Sequence, residues 1–345
     1  MLSAKTDFFA LDIGTSAIRV AEVKQSKGVK TLVRYASLEI DRKIVESSAN
    51  ADQQKLLAAI KQVIAKAGIS TKNVAVGLPS NKVFLTVVDI DRLAPQELER
   101  TIRYQADALI PTPLSESKID WALLGDSPKE KSKVEVLLAS TSNDFIEHRL
   151  DLLESIGLNV VAFEPESLAL TRALLPPNTV APHLILDMGD NTSDLVMTLN
   201  DAPRLIRSIP IGGESIIKSA MQNLSIDRKQ AQQFVFKFGV SKDKLEGQVY
   251  NAIESVINSL VDEIEKSIKF FNTRYPNNPL EKIVLTGTAA ILPEFPLLIA
   301  NKFSVGVEIG NSWQNVSYPQ SIQNDLLAAS NKFAVTAGLA ERMAE

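Results

Sequence analysis

Cysteine is absent from the 345 residues, and histidine occurs only as His148 and His183. A chain without thiols forms no disulfide and no thiolate metal site, which is typical of a protein from a reducing compartment. The two histidines are far apart in sequence and have no neighbour at metal-ligand spacing. We therefore interpret them as surface or satisfied side chains rather than metal ligands.

Long apolar runs and basic clusters are also missing. No stretch approaches 18 uninterrupted apolar residues, so no transmembrane helix is predicted. Asp7 interrupts the N-terminal segment where a signal peptide needs an apolar core. The net charge of −4 and the lack of a Lys/Arg cluster argue against a nucleic-acid or anionic-membrane surface. Together these features predict a soluble cytoplasmic protein that binds no nucleic acid.

The order of apolar patterns indicates two α/β halves separated by an insertion. The length allows two domains, and the hydrophobic content of 45% is ordinary for a globular protein. Strands are expected over 8–14, 17–24, 30–40, 73–79, 83–90, 118–124, 134–140, 159–163, 184–186, 193–199, 204–211 and 281–286. Helices are expected over 54–67, from Pro95, over 143–156, 166–174 and 248–271, around Pro293, and over 334–340.

A repeated motif heads the two halves. LDIGTSAIRV (11–20) and LDMGDNTSDL (186–195) both read as an apolar strand, Asp-x-Gly, small hydroxyl residues and a second strand. An unpaired carboxylate at Asp12 would cost several kcal/mol, so Asp12 is either solvated at a strand end or paired with a cation. Backbone N–H groups of two such turns can form opposed cradles for phosphate oxygens. A Mg²⁺ ion held through water would let Asp12 and Asp187 face those phosphates.

A third motif, VLTGTAA (284–290), also ends a predicted strand. Gly287 leaves the backbone uncovered, so a flat base could lie against it. Alone this signal is weak, because strand-glycine turns are common, but it follows the two phosphate hairpins in the expected order.

These motifs resemble those of the actin, Hsp70 and hexokinase superfamily of ATPases. Within it, the chain resembles the PilM family of type IV pilus assembly over essentially its whole length. The resemblance implies an α/β actin-like fold: two halves around a nucleotide cleft, with an inserted subdomain of the type found in FtsA. It implies a first subdomain over 1–81, 159–180 and 328–345, an insertion over 82–158, and a second half over 181–327 with a helical part at about 212–278. The supporting segments are LDIGTSAIRVAEV (11–23), IPTPLSESKIDWALLG (110–125), LILDMGDNTSDL (184–195), IGG (211–213) and AGLA (337–340).

The resemblance also implies a site for ATP or ADP with Mg²⁺. Three positions depart from the pattern: Gln232 and Val235 stand where similar proteins often have Glu and Lys for the ribose, and Thr288 stands where a second glycine is more usual beside the base. Glu164 matches a water-orienting acid, although the residues alone are equally consistent with a cap for the helix after Pro165. The matched nucleotide positions are Asp12, Gly14, Thr15 and Ser16 in the first motif, Asp187, Gly189, Asn191 and Thr192 in the second, Gly213 and Glu214 beside the cleft, and Gly287 and Thr288 at the adenosine.

The function implied by the resemblance is binding of the short cytoplasmic tail of a PilN-like inner-membrane protein, in a groove between the first subdomain and the insertion. Trp121 is interpreted as core or as part of that groove. Other pilus-machine components are expected partners, and membrane association is expected only through the partner. The alternatives are a phosphotransferase, for which Glu164 and the cation-linked aspartates are the evident acid–base candidates, and an FtsA-like filament protein. The latter would need an amphipathic tail after the last helix, and we identify none before Glu345.

Overall fold

The computed structural model describes residues 7–342, in which three β-sheets are surrounded by helices. The strands are β1 Phe9–Ile13, β2 Ala17–Ser26, β3 Val29–Glu39, β4 Asn73–Leu78, β5 Val83–Asp91, β6 Ser117–Asp126, β7 Lys133–Ser142, β8 Asn159–Pro165, β9 His183–Met188, β10 Ser193–Leu199, β11 Ala202–Ile209, β12 Lys282–Thr286 and β13 Gly306–Ile309. The helices are α1 Arg42–Glu46, α2 Asn50–Ala67, α3 Pro95–Leu109, α4 Asn143–Glu154, α5 Glu166–Leu174, α6 Gly213–Leu224, α7 Arg228–Phe238, α8 Gln248–Arg274, α9 Phe295–Phe303, α10 Gln323–Ala329 and α11 Ala334–Ala340.

The two five-stranded sheets have the same topology. Their strand orders are β3-β2-β1-β4-β8 and β11-β10-β9-β12-β13. In each sheet the first three strands form antiparallel hairpins, and the two later strands add in parallel beside the first. Because ligands of such sheets bind outside the carboxyl ends of the parallel strands, this topology directs both halves toward a common edge.

Apolar side chains from both halves share one core. Ala10 of β1 and Ile185 of β9 are fully buried in the same cluster as Leu170 of α5 and Leu339 of α11. The C-terminal helix α11 therefore packs into the first half, next to β1 and α5. Alternating apolar residues of the central strands supply the sheet faces that this core covers.

The third sheet, β5-β7-β6, belongs to the segment between β4 and β8. Helix α3 covers one of its faces: Leu98, Ile102 and Ala106 are spaced along one side of the helix and pack with Val136 and Leu138 of the sheet.

Helix α4 follows the third sheet in sequence but buries Leu152 and Leu153 in the core of the first sheet. The sequence prediction assigns α4 to the insertion, whereas these two leucines pack with the first sheet. The predicted subdomain boundaries stay predictions. The predicted first subdomain also includes residues 1–6 and 343–345, which lie outside the described residues.

Three features of the second half differ from the sequence prediction, one of them being the short helix α10, which was not predicted. The prediction of a helix containing Pro293 was wrong: α9 begins at Phe295, because the segment after Gly287 forms turns and Pro296 occupies the first turn of the helix. The short edge strand β13 was not predicted. Within residues 7–342, none of the helices combines the length and hydrophobicity that a membrane span requires.

Candidate functional site

A cavity of about 750 Å³ lies where the strands of both large sheets end. Ten of the twelve predicted nucleotide residues line it, and they come from all three motifs. The ten are Asp12, Gly14, Thr15, Ser16, Asp187, Gly189, Asn191, Thr192, Gly287 and Thr288.

The two phosphate motifs form turns with the same geometry. The N–H of Gly14 donates to the carbonyl of Ala17 at 3.1 Å, and the N–H of Gly189 donates to the carbonyl of Thr192 at 3.0 Å. A Cβ atom at these glycines would come within 3.0 Å and 3.1 Å of the same carbonyl oxygens. Both turns therefore favour glycine at this position, and both present their backbone to one cavity.

Asp12 is buried and paired with a cation. Its Oδ2 atom lies 3.3 Å from Nη1 of Arg19, the residue directly opposite it on β2. Burial raises the pKa of Asp12, while the Arg19 guanidinium opposes that rise. The sequence left two alternatives for Asp12, solvation at a strand end or pairing with a cation. The structure shows the second: the carboxylate pairs with Arg19.

Five further carboxylates line the same cavity, namely Glu46, Glu166, Asp187, Asp190 and Asp194. Burial, together with the charges of Asp194 and Asp12, raises the pKa of Asp187 to about 7. Burial and the charge of Asp12 hold the pKa of Glu166 well above its usual range. Oδ1 of Asp194 is buried without a hydrogen-bond partner. Asp12, Glu166, Asp187 and Asp194 therefore raise one another's pKa values or are buried together, and a bound cation would offset their negative charge.

The donor set fits a hydrated cation better than a directly coordinated one. Among residues 7–342, no three His, Cys, Asp or Glu side chains lie close enough together to hold a metal by themselves. Mg²⁺ usually keeps several waters and takes one or two carboxylates plus substrate phosphates. Asp12, Asp187 and Asp194 suit contacts of this kind through water.

The third motif places Gly287 against the second hairpin. Gly287 has a φ of +87°, and a Cβ atom there would overlap the Met188 carbonyl. Its N–H donates to the carbonyl of Asn331 at 2.9 Å. The Thr288 hydroxyl donates to Oδ1 of Asp190 at 3.2 Å. The backbone of Gly287 is thus fixed at the cavity wall by contacts that require glycine.

Gly213 and Glu214 do not line the cavity. Their backbone N–H groups form hydrogen bonds to the second hairpin. The N–H of Gly213 donates to the carbonyl of Gly189 at 3.0 Å, and the N–H of Glu214 donates to that of Asp190 at 2.8 Å. The Glu214 carboxylate pairs with Arg228, which lowers the pKa of Glu214. These residues therefore support the hairpin through the N-terminus of α6.

Glu164 lies outside the cavity lining as well. It is buried and accepts a hydrogen bond from Nη1 of Arg172 at 2.7 Å, with Nε of Arg342 3.7 Å away. Glu166, two residues later in the first turn of α5, lines the cavity instead. This placement does not support the water-orienting role predicted for Glu164.

The two departures from the family pattern at the ribose, Gln232 and Val235, are on α7. Val235 is buried in the core of the second half, and Gln232 is exposed. Neither lines the cavity.

Several cavity residues were not identified from the sequence: Arg19, Glu166, Asp194, Asn331 and Lys332. Arg19 and Asp194 hold equivalent positions, since each lies seven residues after a motif aspartate and opposite it in the hairpin. That spacing was a usable signal. Asn331 and Lys332 precede α11 and come to the cavity only through tertiary packing.

A second, apolar cavity of about 320 Å³, which we call the apolar groove, lies between the third sheet and the first half. Leu85 of β5 and Leu137 of β7 line one side, and Phe163, Pro165 and Leu168 line the other. The side chain of Trp121 is partly buried and packs with Leu138, the residue opposite it on β7, in the cluster under α3. Strand β6 is an edge strand, hydrogen-bonded only to β7 among the described strands.

Comparisons with known proteins agree with this architecture. The family model described as type IV pilus assembly protein PilM matches residues 10–344. Cell division protein FtsA of Streptococcus pneumoniae serotype 2 (strain D39 / NCTC 7466) is 25% identical over 348 residues, covering 89% of this chain and 76% of FtsA.

Two solved structures share the fold. The PilM-PilN type IV pilus biogenesis complex matches with a TM-score of 0.84 and 24% identity, covering 99% of this chain and 100% of that chain. MreB 5 of Spiroplasma citri bound to AMPPNP matches with a TM-score of 0.56 and 13% identity, covering 97% of this chain and 95% of that one. The actin-like fold predicted from the sequence is confirmed.

Proposed function

The chain belongs to the family of type IV pilus assembly protein PilM, and from that premise we propose that it is a nucleotide-binding protein that holds the cytoplasmic tail of a PilN-like membrane protein. The observation that carries the proposal is the convergence of ten motif residues on one cavity, beside a separate apolar groove. The protein would work in the cytoplasm, at the inner face of the membrane through its partner, and connect that partner to other pilus components.

The hairpins supply the contacts for a nucleotide. Backbone N–H groups of Thr15 and Ser16 on one side and of Asn191 and Thr192 on the other would hold the phosphates of ATP or ADP. Arg19, already beside Asp12, adds a positive charge at the first hairpin. Mg²⁺ would neutralise phosphate charge and be held through water by Asp12 and Asp187.

Glu166 is our candidate for the acid that orients water near the terminal phosphate. It lines the cavity, and burial with neighbouring carboxylates keeps its pKa raised. A bound cation would favour its ionised form by offsetting those charges. We propose slow ATP hydrolysis at most, with nucleotide binding as the main role.

The nucleotide proposal is tested with Asp12→Ala. We expect the affinity for ATP with Mg²⁺ to fall tenfold or more, because the variant loses a contact to the hydrated cation. The stimulation of binding by Mg²⁺ over EDTA should shrink as well. Asp107→Ala, an exposed carboxylate of α3, is the control. An unchanged Mg²⁺-dependent affinity in a folded Asp12→Ala protein would remove Asp12 from the site.

The apolar groove is the proposed site for the partner tail. Its walls are mostly apolar, with Leu85 and Leu137 on one side and Phe163 on the other. The outer edge of β6, which pairs with no other strand among residues 7–342, is of the kind that an extended peptide can pair with. A short peptide with apolar anchors would therefore fit better here than a charged one.

The groove is tested with Leu85→Ala and a synthetic PilN-like N-terminal peptide. Leu85 of β5 lies opposite Ala139 of β7 and lines the groove, so we expect peptide affinity to fall about fivefold or more through the loss of apolar contact area. ATP affinity should stay within about twofold of wild type, which is within about 0.4 kcal/mol. Tyr104→Ala is the control, because Tyr104 is 82% exposed on α3. Undiminished peptide binding by Leu85→Ala would place the tail elsewhere.

A further inference from the structure

One wall of the nucleotide cavity carries basic side chains that belong to none of the three motifs. Lys82 follows β4, while His148 and Arg149 lie on α4, and all three line the cavity together with Phe145. We call these four residues the basic lobe. They converge because the loop after β4 and the start of α4 meet at the cavity.

Lys82 and Arg149 of the basic lobe both lie near the ring of Phe145. Nζ of Lys82 lies 5.9 Å from the centroid of Phe145, and Cζ of Arg149 lies 5.6 Å from it. Within residues 7–342, neither cation has a carboxylate oxygen within 4.0 Å. Both cations line the cavity beside the same ring, so an anion that enters this part of the cavity would be attracted by both.

Arg19, which lines the same cavity, has a hydrogen-bond donor without a partner. Nε of Arg19 is buried without a hydrogen-bond partner, and Arg19 lines the cavity with the basic lobe. Buried donors normally have a partner, and a guanidinium N–H is best matched by an oxygen-rich anion. This donor and the two cations together meet the needs of a tetrahedral oxyanion better than those of a sugar or base.

The fold sets the basic lobe beside the first phosphate hairpin. β4 pairs with β1 in parallel, with Leu11 opposite Val76, so the loop that carries Lys82 leaves the sheet next to the hairpin turn. We infer that the basic lobe binds a phosphate group: the terminal phosphate of ATP, or orthophosphate beside ADP. This inference rests on the proposed nucleotide function and extends it, because the lobe would distinguish a triphosphate from a diphosphate.

The test compares wild type with Lys82→Gln/Arg149→Gln in ATP, ADP and pyrophosphate titrations with Mg²⁺. We expect the preference for ATP over ADP to fall about tenfold, with ADP affinity within about twofold of wild type. The matched control removes the same amount of charge from the insertion surface, by Arg100→Gln with Lys131→Gln, both at exposed positions. Arg149→Lys should retain most of the preference, and melting temperatures verify the fold of each variant.

A second arm separates the two sources of phosphate. Orthophosphate is titrated into the ADP-loaded proteins. An unchanged ATP preference with about tenfold weaker orthophosphate binding would support the lobe as a site for released phosphate. Equal losses for ATP and ADP, or no change in any titration, overturn the inference. If wild type binds neither nucleotide, the proposed nucleotide function fails, whereas the pyrophosphate titration still decides whether the lobe binds phosphate.

Discussion

At the scale of single residues, Asp187 makes the stability of the folded protein depend on pH. Its pKa rises from 3.8 to about 7 in the folded protein, chiefly through burial. Between these values the folded state binds more protons than the unfolded state, so the contribution of this group to stability is fully present below about pH 4 and is lost as the pH rises to about 7. For this group alone, the free energy of unfolding falls by about 4 kcal/mol across that pH range. We expect Asp187→Asn to reduce this pH dependence, measured as the free energy of unfolding in urea at pH 5 and pH 8.

The control for this titration is Asp107→Asn, which should retain the wild-type pH slope. Glu166, Asp194 and Asp12 also have raised pKa values, so part of the slope should survive in Asp187→Asn. A slope equal to that of wild type would mean that Asp187 is already ionised in the folded protein near pH 5.

The site could be predicted from sequence where a motif specifies a backbone turn. Gly14 and Gly189 recur because both turns bring a carbonyl against the glycine. Side chains that reach the cavity from elsewhere carry no such signature. Glu166 was overlooked in favour of Glu164 because the two flank one proline; Glu164 lies near the end of β8 and Glu166 begins α5, and only the turn of the chain between them decides which carboxylate faces the cavity.

At the scale of elements, the packing of α11 on α5 depends on one glycine. A Cβ atom at Gly338 would overlap the carbonyl oxygen of Ala169, so the two helices approach more closely than any side chain permits. We expect Gly338→Ala to destabilise the protein by about 3 kcal/mol or more through overpacking, despite the better helix propensity of alanine. Thermal or urea unfolding measures this.

Gly306→Ala is the matched control, because its Cβ atom would meet nothing within 4 Å. We expect its stability to stay within about 1 kcal/mol of wild type. A Gly338→Ala protein as stable as wild type would show that α11 can shift away from α5 without loss of packing.

Elements with long apolar periodicity were predictable, and short exposed ones were not. The stripe of α8 spans many turns, so its start at Gln248 was identified correctly. β13 has only four residues, none of them buried, and such a strand has too few alternations to separate it from a loop. Its pairing with β12 comes from tertiary structure.

At the scale of the whole molecule, a buried ionic network joins the third sheet to the second half. Glu135 of β7 is 2% exposed and accepts hydrogen bonds from Arg274 at 2.6 Å and from the Tyr275 hydroxyl at 2.7 Å. Arg204 of β11 lies 3.3 Å from its other oxygen. Arg274 also pairs with Asp89 of β5 at 2.9 Å. The partners are remote in sequence, so charge pattern alone could not predict this contact.

This network makes Glu135 the residue whose loss should loosen the third sheet from the second half. Glu135→Ala leaves Arg204 and Arg274 without their shared partner, and breaking a buried ion pair in this way costs about 3–5 kcal/mol. Urea unfolding should show that loss, whereas Glu130→Ala, which removes an exposed pair with Lys133, should cost less than about 1 kcal/mol. Because the third sheet also forms one wall of the apolar groove, peptide affinity should fall in Glu135→Ala while ATP affinity is retained. A stability loss no larger than that of Glu130→Ala would mean that the third sheet is held by its apolar contacts alone.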